Sequence, residues 1–312
     1  MRVLNFVTSM NAAFFQKQVG ELEDRGIDCT NLAVAERREK TSETIKRRSS
    51  MQYIDFYAKA VRRSFGSYDI VHANYGLTAP PAVLQPNHPV VLSLWGSDLM
   101  GSVGPVSKVC AELVDEVIVM TDEMADELNG DCHVIPHGVD TEAFRPIPRS
   151  EARDKVGWDG DSNHVLFPYA ASRDVKNYPR AERVSNEAGE ALDDDVALHT
   201  LVGVEHHRMP FFLNAADVML LTSRREGSPN TVKEAISCNV PVVTTDVGDV
   251  RDQLRGVAPS AVCRTDRELV DALVSILRTE DRPNGHEKVK REMSLDRMID
   301  QVLDVYEQAI RS

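Results

Sequence analysis

Short apolar runs alternate along the chain with stretches in which apolar residues recur every three or four positions. The run at 2–7 predicts a first strand, and the stripe of Phe15, Val19 and Leu22 predicts a helix that ends before Gly26. The same pattern predicts further strands at 69–73, 89–94, 116–120 and 132–135. Strands that alternate with helices in this way indicate a parallel α/β sheet.

A second series of the same kind follows a break in the pattern. Residues 141–161 lose the periodicity and contain two prolines and two glycines, so we expect a domain boundary there, with domains at 1–145 and 146–293. The second series has predicted strands at 164–167, 196–201, 217–221 and 240–244, and predicted helices at 180–191, 231–237 and 267–279. A last helix, within 294–312, is expected to pack back on the amino-terminal domain. The pattern predicts two Rossmann-like, doubly wound parallel sheets that face a cleft, with ligands at the carboxyl ends of the strands.

Composition narrows the class of protein. A length of 312 residues fits two cores better than one, and the net charge of -13 argues against a nucleic-acid partner, which needs a basic footprint. The five cysteines are odd in number and form no CxxC pair, which predicts reduced thiols. The chain has no apolar run of roughly 18 residues and no signal-peptide pattern, so we expect a cytoplasmic protein.

The most informative stretch is 223–249, where an apolar strand leads into Gly227, Ser228 and Pro229. A helix is expected to start at Asn230 or Thr231, because both residue types favour helix caps. Free backbone N–H groups and a positive helix end at this point suit a diphosphate. Two carboxylates flank the same turn, Glu226 before the helix and Glu234 one turn inside it. Since carboxylates repel phosphate, their expected partners are hydroxyl groups on a ribose and a sugar.

This stretch resembles the Glu-x7-Glu signature of the retaining family-4 glycosyltransferases, which have the GT-B fold of two Rossmann-like domains. The resemblance implies that Glu234 binds the donor ribose and that Glu226 contacts the transferred sugar. It also implies that backbone amides near Ser228 to Asn230 help to hold the donor. The alternative is an ordinary acidic helix start, because Asp and Glu are common in first turns.

Two cations follow the first strand of the second series. Negative charge builds on a departing nucleotide diphosphate, and a site for one needs positive charge to stabilise it. Arg173 and Lys176 resemble the Arg and Lys pair that the family carries at this position, and the resemblance implies that they replace a divalent metal. An Arg and a Lys in a loop at any other place in the chain would be interpreted as ordinary surface residues.

The amino-terminal half resembles the family more loosely. His137 stands in a loop that is similar to the family's Asn-Gly-Val-Asp loop, at the place where Asn is common. Trp95 stands in Leu-Trp-Gly-Ser-Asp, where the family often has a histidine beside the sugar, so Trp95 is expected either to stack on a sugar or to pack. The loop at 8–13 lacks the family's Gly-Gly pair, and Asn11 in it is a candidate for the acceptor or sugar side. A structural turn is an equally good interpretation of the His137 loop.

Histidine pairs do not indicate a metal site. His133 and His137 are four residues apart, as on a zinc-binding helix, but Pro136 and Gly138 prevent that helix. His206 and His207 are adjacent and cannot both face one ion from regular structure. We therefore expect no metal.

One segment departs from the acidic character of the chain. Residues 36–63 contain nine Lys and Arg against four Asp and Glu, a net charge of +5. Such a segment predicts contact with an anionic acceptor or with an acidic membrane surface at the inner face of a membrane. A solvated loop and helix face is the alternative.

Together these patterns predict a retaining glycosyltransferase of the hexosyltransferase type. The donor, a nucleotide diphosphate-sugar, is expected in the carboxyl-terminal domain, and an unidentified glycan, lipid or small-molecule acceptor in the amino-terminal one. No further cofactor is expected. Two alternatives stay open: a nucleotide-sugar epimerase of the same fold, and a donor-binding partner subunit without activity.

Overall fold

The computed structural model describes residues 1–35, 49–85, 89–160, 162–279 and 281–312. The chain forms two compact units, the first made of 1–137 with 295–312 and the second of 138–294. Of the basic segment at 36–63, the part at 36–48 lies outside the described residues. No helix in the described ranges is long and apolar enough to cross a membrane.

The first unit is built on a six-stranded sheet. Its strands are β1 (Arg2–Ser9), β2 (Asp28–Ala35), β3 (Ile70–Asn74), β4 (Val90–Ser93), β5 (Glu116–Val119) and β6 (His133–Val134). They lie in the order β2-β1-β3-β4-β5-β6, and all neighbouring pairs are parallel. The order reverses direction between β1 and β3, which makes the sheet doubly wound.

Helices cover both faces of this sheet. They are α1 (Ala13–Asp24), α2 (Ser50–Ser64), α3 (Ala79–Val83), α4 (Gly104–Ala111) and α5 (Asp122–Leu128). Right-handed crossovers put α1 on one face and the other four on the opposite face. In agreement, α3 packs against both α2 and α4.

The second unit is built on a five-stranded parallel sheet. Its strands are β7 (Asn163–Phe167), β8 (Val196–Thr200), β9 (Val218–Leu221), β10 (Val242–Thr245) and β11 (Ala261–Cys263), in the order β11-β10-β9-β7-β8. Its helices are α6 (Arg149–Val156), α7 (Tyr178–Leu192), α8 (Met209–Ala215), α9 (Asn230–Ser237), α10 (Val250–Leu254), α11 (Asp266–Thr279) and α12 (His286–Glu292). The strand order reverses between β7 and β9, and ligands of such sheets bind at that point.

The last helix, α13 (Leu295–Arg311), belongs to the core of the first unit. The hydroxyl of Tyr306, which is fully buried, lies 2.7 Å from Nδ1 of His72 on β3. Burial lowers the pKa of His72 to about 3, so this imidazole is neutral at physiological pH. The neutral ring also bonds Ser93 on β4 through Nε2, at 2.7 Å. The helix is thereby tied to two strands of the sheet.

The sequence-based boundary at 145 is corrected by the structure, which places residues 138–145 in the second unit. The N–H of Val139 donates to the carbonyl of Met293 at 2.9 Å. Phe144 is 1% exposed, within the second core, and its carbonyl accepts a hydrogen bond from Ser237 at 2.5 Å. The stretch after residue 141 is therefore an ordered part of the second unit, a loop followed by α6.

Candidate active site

The candidate site lies where β7 and β9 end, side by side in the second sheet. Because parallel strands put their carboxyl ends at one edge, the loops that follow β7 and β9 are brought together there. The hydroxyl of Thr222, directly after β9, donates to the carbonyls of Lys176 and Asn177 at 3.1 and 3.0 Å. The N–H of Arg224 donates to the carbonyl of Val175 at 2.9 Å. These bonds join the loop that carries Lys176 to the loop that carries Glu226.

Lys176 and Glu226 form a shielded ion pair at the centre of the site. The Lys176 ammonium donates to Oε1 of Glu226 at 2.5 Å, and the two side chains are only 6% and 13% exposed. Ser223 donates to the same carboxylate oxygen, also at 2.5 Å. Burial lowers the pKa of Lys176, and the Glu226 carboxylate raises it part of the way back. The sequence did not single out Ser223.

The cationic groups of Lys176 and Arg173 both lie over the aromatic ring of Tyr169. The Lys176 ammonium lies 3.8 Å from the centre of its ring, and the Arg173 guanidinium carbon lies 5.2 Å from it. Cations are attracted to the face of an aromatic ring, so the ring helps to hold both of them. Arg173 is exposed, whereas Lys176 is buried. Tyr169, two residues beyond the end of β7, was missed by the sequence analysis, although its place at a strand end could have signalled it.

The start of α9 agrees with its prediction, but the cap of the helix does not. The helix begins at Asn230, but neither Asn230 nor Thr231 caps it with a side chain, and the cap position is held by Pro229. The Thr231 hydroxyl lies 2.6 Å from the Tyr169 hydroxyl instead. Oδ1 of Asn230 is buried and has no hydrogen-bond partner within the described part of the chain. The expected side-chain cap is wrong, because the cap position falls on Pro229, which has no side-chain oxygen to accept a hydrogen bond from the helix N–H groups.

Glu234 lies on the buried side of α9 and has a partner that the sequence did not predict. It is 8% exposed, and Oε1 lies 3.0 Å from Nε2 of His206. His206 follows β8, the strand on the other side of β7, and its side chain is 40% exposed. From the sequence, His206 was considered only as a metal ligand together with His207, and that role was rejected. The contact with Glu234 comes from strand order, which no local pattern reveals.

The loop that contains Gly227 and Ser228 is held by hydrogen bonds from residues that follow β10. The N–H of Asp249 donates to the carbonyl of Gly227 at 3.1 Å, and Gln253 donates to the Ser228 hydroxyl at 3.2 Å. Gly248 has a φ of +54°, and a Cβ there would lie 1.9 Å from the Gly227 oxygen. Only glycine permits this close approach of the two backbones.

The candidates from the amino-terminal half lie in the first unit. The ring of Trp95 is 4.3 Å from Phe14 and 5.9 Å from His137, and Phe14 is 4.6 Å from His137, measured between ring centres. Trp95 is half-buried in this cluster, and its backbone N–H donates to the buried carboxylate of Asp98 at 2.8 Å. Asn11 is exposed in the loop between β1 and α1. Trp95 and His137 are therefore neighbours and pack together.

Other groups that could carry chemistry are few. The described residues contain no group of three or more His, Cys, Asp and Glu that could hold a metal ion. The five cysteines are free thiols. His133 bonds Glu116 on the neighbouring strand at 2.7 Å. His133 is thus occupied by its own sheet.

Comparison with solved structures identifies the architecture. Sucrose-phosphate synthase from Thermosynechococcus elongatus superposes with a TM-score of 0.72 over 100% of both chains, at 16% identity. Anabaena HepE in complex with UDP-glucose gives a TM-score of 0.71 over 97% of this chain and 99% of that one, at 15% identity. The catalytic domain of starch synthase IV from Arabidopsis thaliana, bound to ADP and acarbose, gives 0.71 over 100% of both chains, at 10% identity. The chain has the GT-B fold.

Sequence comparison finds similarity to glycosyltransferases over part of the chain. The family model "Glycosyl transferases group 1" matches residues 174–279, a range that contains Lys176, Glu226 and Glu234. The putative teichuronic acid biosynthesis glycosyltransferase TuaC of Bacillus subtilis is 27% identical over 58% of this chain and 54% of TuaC. The D-inositol 3-phosphate glycosyltransferase of Xylanimonas cellulosilytica is 26% identical over 80% of this chain and 74% of the relative. The chain thus spans about half the length of TuaC.

Proposed function

We propose that this chain is a retaining glycosyltransferase of the hexosyltransferase type, which transfers a sugar from a nucleotide diphosphate-sugar. The observation that carries the proposal is the Lys176–Glu226 pair at the ends of β7 and β9, with Glu234 one turn along α9. The family model covers this whole arrangement. Relatives that are named glycosyltransferases, and structural neighbours solved with UDP-glucose or ADP, support it.

The contacts suggest how the donor is divided among the residues. A diphosphate suits the free N–H groups at the start of α9 together with Arg173 and Lys176, since these supply positive charge without a metal. The sugar and the diphosphate share the glycosidic oxygen, so the groups that touch them must be close neighbours. Lys176 and Glu226 are such neighbours, 2.5 Å apart. We therefore assign the diphosphate to Lys176, the sugar hydroxyls to Glu226 and the ribose hydroxyls to Glu234.

The reaction in this proposal breaks the bond between the anomeric carbon and the diphosphate oxygen. The acceptor hydroxyl oxygen forms the new bond on the same face of the sugar, and its proton goes to an oxygen of the departing diphosphate. Arg173 and Lys176 stabilise the negative charge that develops on that oxygen. No side chain acts as a covalent nucleophile, and no divalent metal takes part.

Calorimetry with nucleoside diphosphates tests the donor site. We expect Glu234→Gln and Arg173→Met to weaken binding by roughly tenfold to a hundredfold, the usual worth of a charged hydrogen bond. Glu187→Gln and Arg267→Met are matched controls, because both residues are exposed on helices that carry none of the site residues. No binding of UDP, GDP or ADP by the unchanged protein, or unchanged affinity in both site variants, would reject the site.

A screen of nucleotide sugars tests the reaction itself. The donor that gives the largest rise in melting temperature is incubated with candidate acceptors, and NMR of the product reports the anomeric configuration. Retention supports the proposal, and inversion contradicts it. Conversion of the donor to a different nucleotide sugar without any acceptor would show an epimerase instead.

A further inference from the structure

The outward side of α2 carries apolar side chains where a helix packed on a sheet is expected to be polar. Phe56 and Ala60 are buried against the core, while Met51, Ile54 and Phe65 at the opposite side are 71%, 61% and 65% exposed. These three positions fall within one side of the helix at 3.6 residues per turn. Three large apolar side chains exposed along one side of a helix indicate an interaction surface.

Apolar exposure continues along the same layer of helices. Leu84, directly after α3, is 73% exposed, and α3 packs against both α2 and α4. On and just after α4, Val106, Val109 and Leu113 are 43%, 59% and 62% exposed. In the opposite layer, α1 and α13 expose one large apolar side chain among the described residues, Ile310 at 48%. One layer of the first unit therefore exposes more large apolar side chains than the other.

Basic side chains lie beside the apolar stripe. Lys59 pairs with Asp55 at 2.6 Å, whereas Arg62 and Arg63 are exposed and make no ion pair with any residue in the described ranges. These cations border a groove of about 580 Å³ whose other walls come from β2 and from the turn that contains Tyr68. The groove thus offers guanidinium and ammonium groups next to apolar surface.

Charge selects the class of partner. Within α2, Lys59, Arg62 and Arg63 stand against Asp55, which gives a net charge of +2 in a chain whose total is -13. The α2 surface is basic and apolar, although the chain as a whole is acidic. It therefore complements a partner that is anionic at its surface and apolar in its interior. On the same layer α5 is acidic, with Asp122, Glu123 and Asp126 all exposed. The attractive contact is therefore confined to the end of the layer that α2 forms.

We propose that this α2 face docks the chain on an anionic lipid membrane. Met51, Ile54 and Phe65 enter the boundary between headgroups and acyl chains, while Arg62 and Arg63 contact lipid phosphates, one of which occupies the groove. None of these residues belongs to the candidate active site. Membrane docking and donor binding are thus independent and fail separately.

Vesicle flotation tests the docking. At low salt the chain is expected to float with vesicles of equimolar phosphatidylcholine and phosphatidylglycerol, and to stay behind with phosphatidylcholine alone. Added salt should weaken the binding, since the charged contacts are screened. Failure to float, or equal flotation on both kinds of vesicle, overturns the proposal.

Paired substitutions locate the surface. Arg62→Gln with Arg63→Gln should lower the partition coefficient about 30-fold, because each cation near an anionic surface contributes about 1 kcal/mol. Arg267→Gln with Arg291→Gln removes the same charge from exposed sites on the second unit and should leave partition unchanged. If both pairs have the same effect, general charge explains the binding and the α2 face does not.

The apolar half of the surface has its own pair. Ile54→Ser with Phe65→Ser should reduce partition by roughly tenfold or more, also at high salt, since burial of such side chains does not depend on screening. Ile310→Ser with Val202→Ser is the control, at exposed apolar positions away from α2. All variants should keep the cooperative urea unfolding transition of the unchanged protein, followed by circular dichroism, which shows that the first unit is folded.

Two further outcomes would reassign the surface. If sedimentation shows a dimer that Ile54→Ser with Phe65→Ser makes monomeric, the face joins two copies of the chain and the membrane proposal fails. Glycerol 3-phosphate is the probe for a soluble phosphate. If it binds the chain but, at saturation, releases it from vesicles no more than sodium chloride of equal ionic strength does, the groove binds soluble anions and not a lipid phosphate, and the membrane proposal also fails.

Discussion

Lys176 is the residue on which the electrostatics of the site depend. It is buried between the Tyr169 ring and the Glu226 carboxylate, and its pKa lies below that of an ordinary lysine because burial disfavours the charged form. Arg173, on the same ring, is exposed. The two cations therefore differ in their surroundings: Lys176 is buried, and Arg173 is in contact with solvent.

Nucleoside diphosphate affinity should consequently fall as the pH rises, at a pH below the ordinary lysine range. A diphosphate binds the protonated ammonium, and raising the pH through the lowered pKa removes that proton. Lys176→Met should weaken binding at neutral pH by roughly tenfold to a hundredfold. Lys176→Arg should bind with an affinity that no longer falls on the alkaline side, since a guanidinium stays charged. Calorimetry across pH measures all three profiles.

Lys233 is a second buried lysine near the site, and the experiment has to distinguish its titration from that of Lys176. It is 1% exposed on α9, and burial lowers its pKa to about 8, so its pKa also lies below that of an ordinary lysine. If the alkaline fall in affinity persists in Lys176→Arg, Lys233 is its source and the role given to Lys176 is wrong. Comparison of the profile shapes, and not of absolute affinities, separates the two lysines.

At the scale of elements, the loop between β9 and α9 depends on a glycine outside it. Gly248→Ala would bring a Cβ to 1.9 Å from the Gly227 oxygen at a φ of +54°, so the two backbones must separate. We expect the free energy of unfolding to fall by at least about 2 kcal/mol and nucleotide affinity to fall with it. Urea unfolding and calorimetry measure the two effects. Gly130→Ala is the control, because nothing lies within 4 Å of its added Cβ.

An unchanged nucleotide affinity in Gly248→Ala would contradict this interpretation. It would mean that the loop of Gly227 and Ser228 holds its shape without the turn after β10. The backbone amides at the start of α9 would then need no support from that turn.

The predictability of most strands follows how buried each one is, although β8, half-buried throughout, was also predicted. Strands with nearly continuous burial, such as β7 and β9, are largely apolar and were predicted within one or two residues. β2 and β11 were missed, because half-buried residues give them neither an apolar run nor a strict alternation. Partial burial at the edge of a sheet leaves only a weak pattern.

The site was predictable only as far as it is local in sequence. Glu226, Glu234 and Lys176 belong to stretches whose order along the chain could be read directly, and the structure brings Lys176 and Glu226 into contact. Tyr169 and His206 join the site because β7 lies between β9 and β8, an order that the strand patterns do not specify. Residue roles follow from motifs, whereas the neighbours that orient those residues follow from topology.

At the scale of the whole molecule, the chain passes from the first unit to the second after residue 137 and returns after residue 294. Within the second unit these two points are adjacent, because Val139 pairs with Ser294 and donates to the carbonyl of Met293. The second unit is thus a continuous segment with neighbouring ends. Segments of this kind are tolerated as insertions and fold on their own.

The first unit, in contrast, needs both of its segments. Met298, Ile299 and Val302 of α13 lie in its core, and Tyr306 satisfies the buried His72. We expect residues 1–137 alone to lack a cooperative unfolding transition, because a large part of that core and the partner of His72 are missing. Residues 1–137 joined to 295–312 by a short Gly/Ser linker should regain the transition, and residues 138–294 alone should fold and bind a nucleoside diphosphate. Circular dichroism during urea unfolding distinguishes the three chains, and a cooperative transition of residues 1–137 alone, as stable as that of the joined chain, would show that α13 is dispensable.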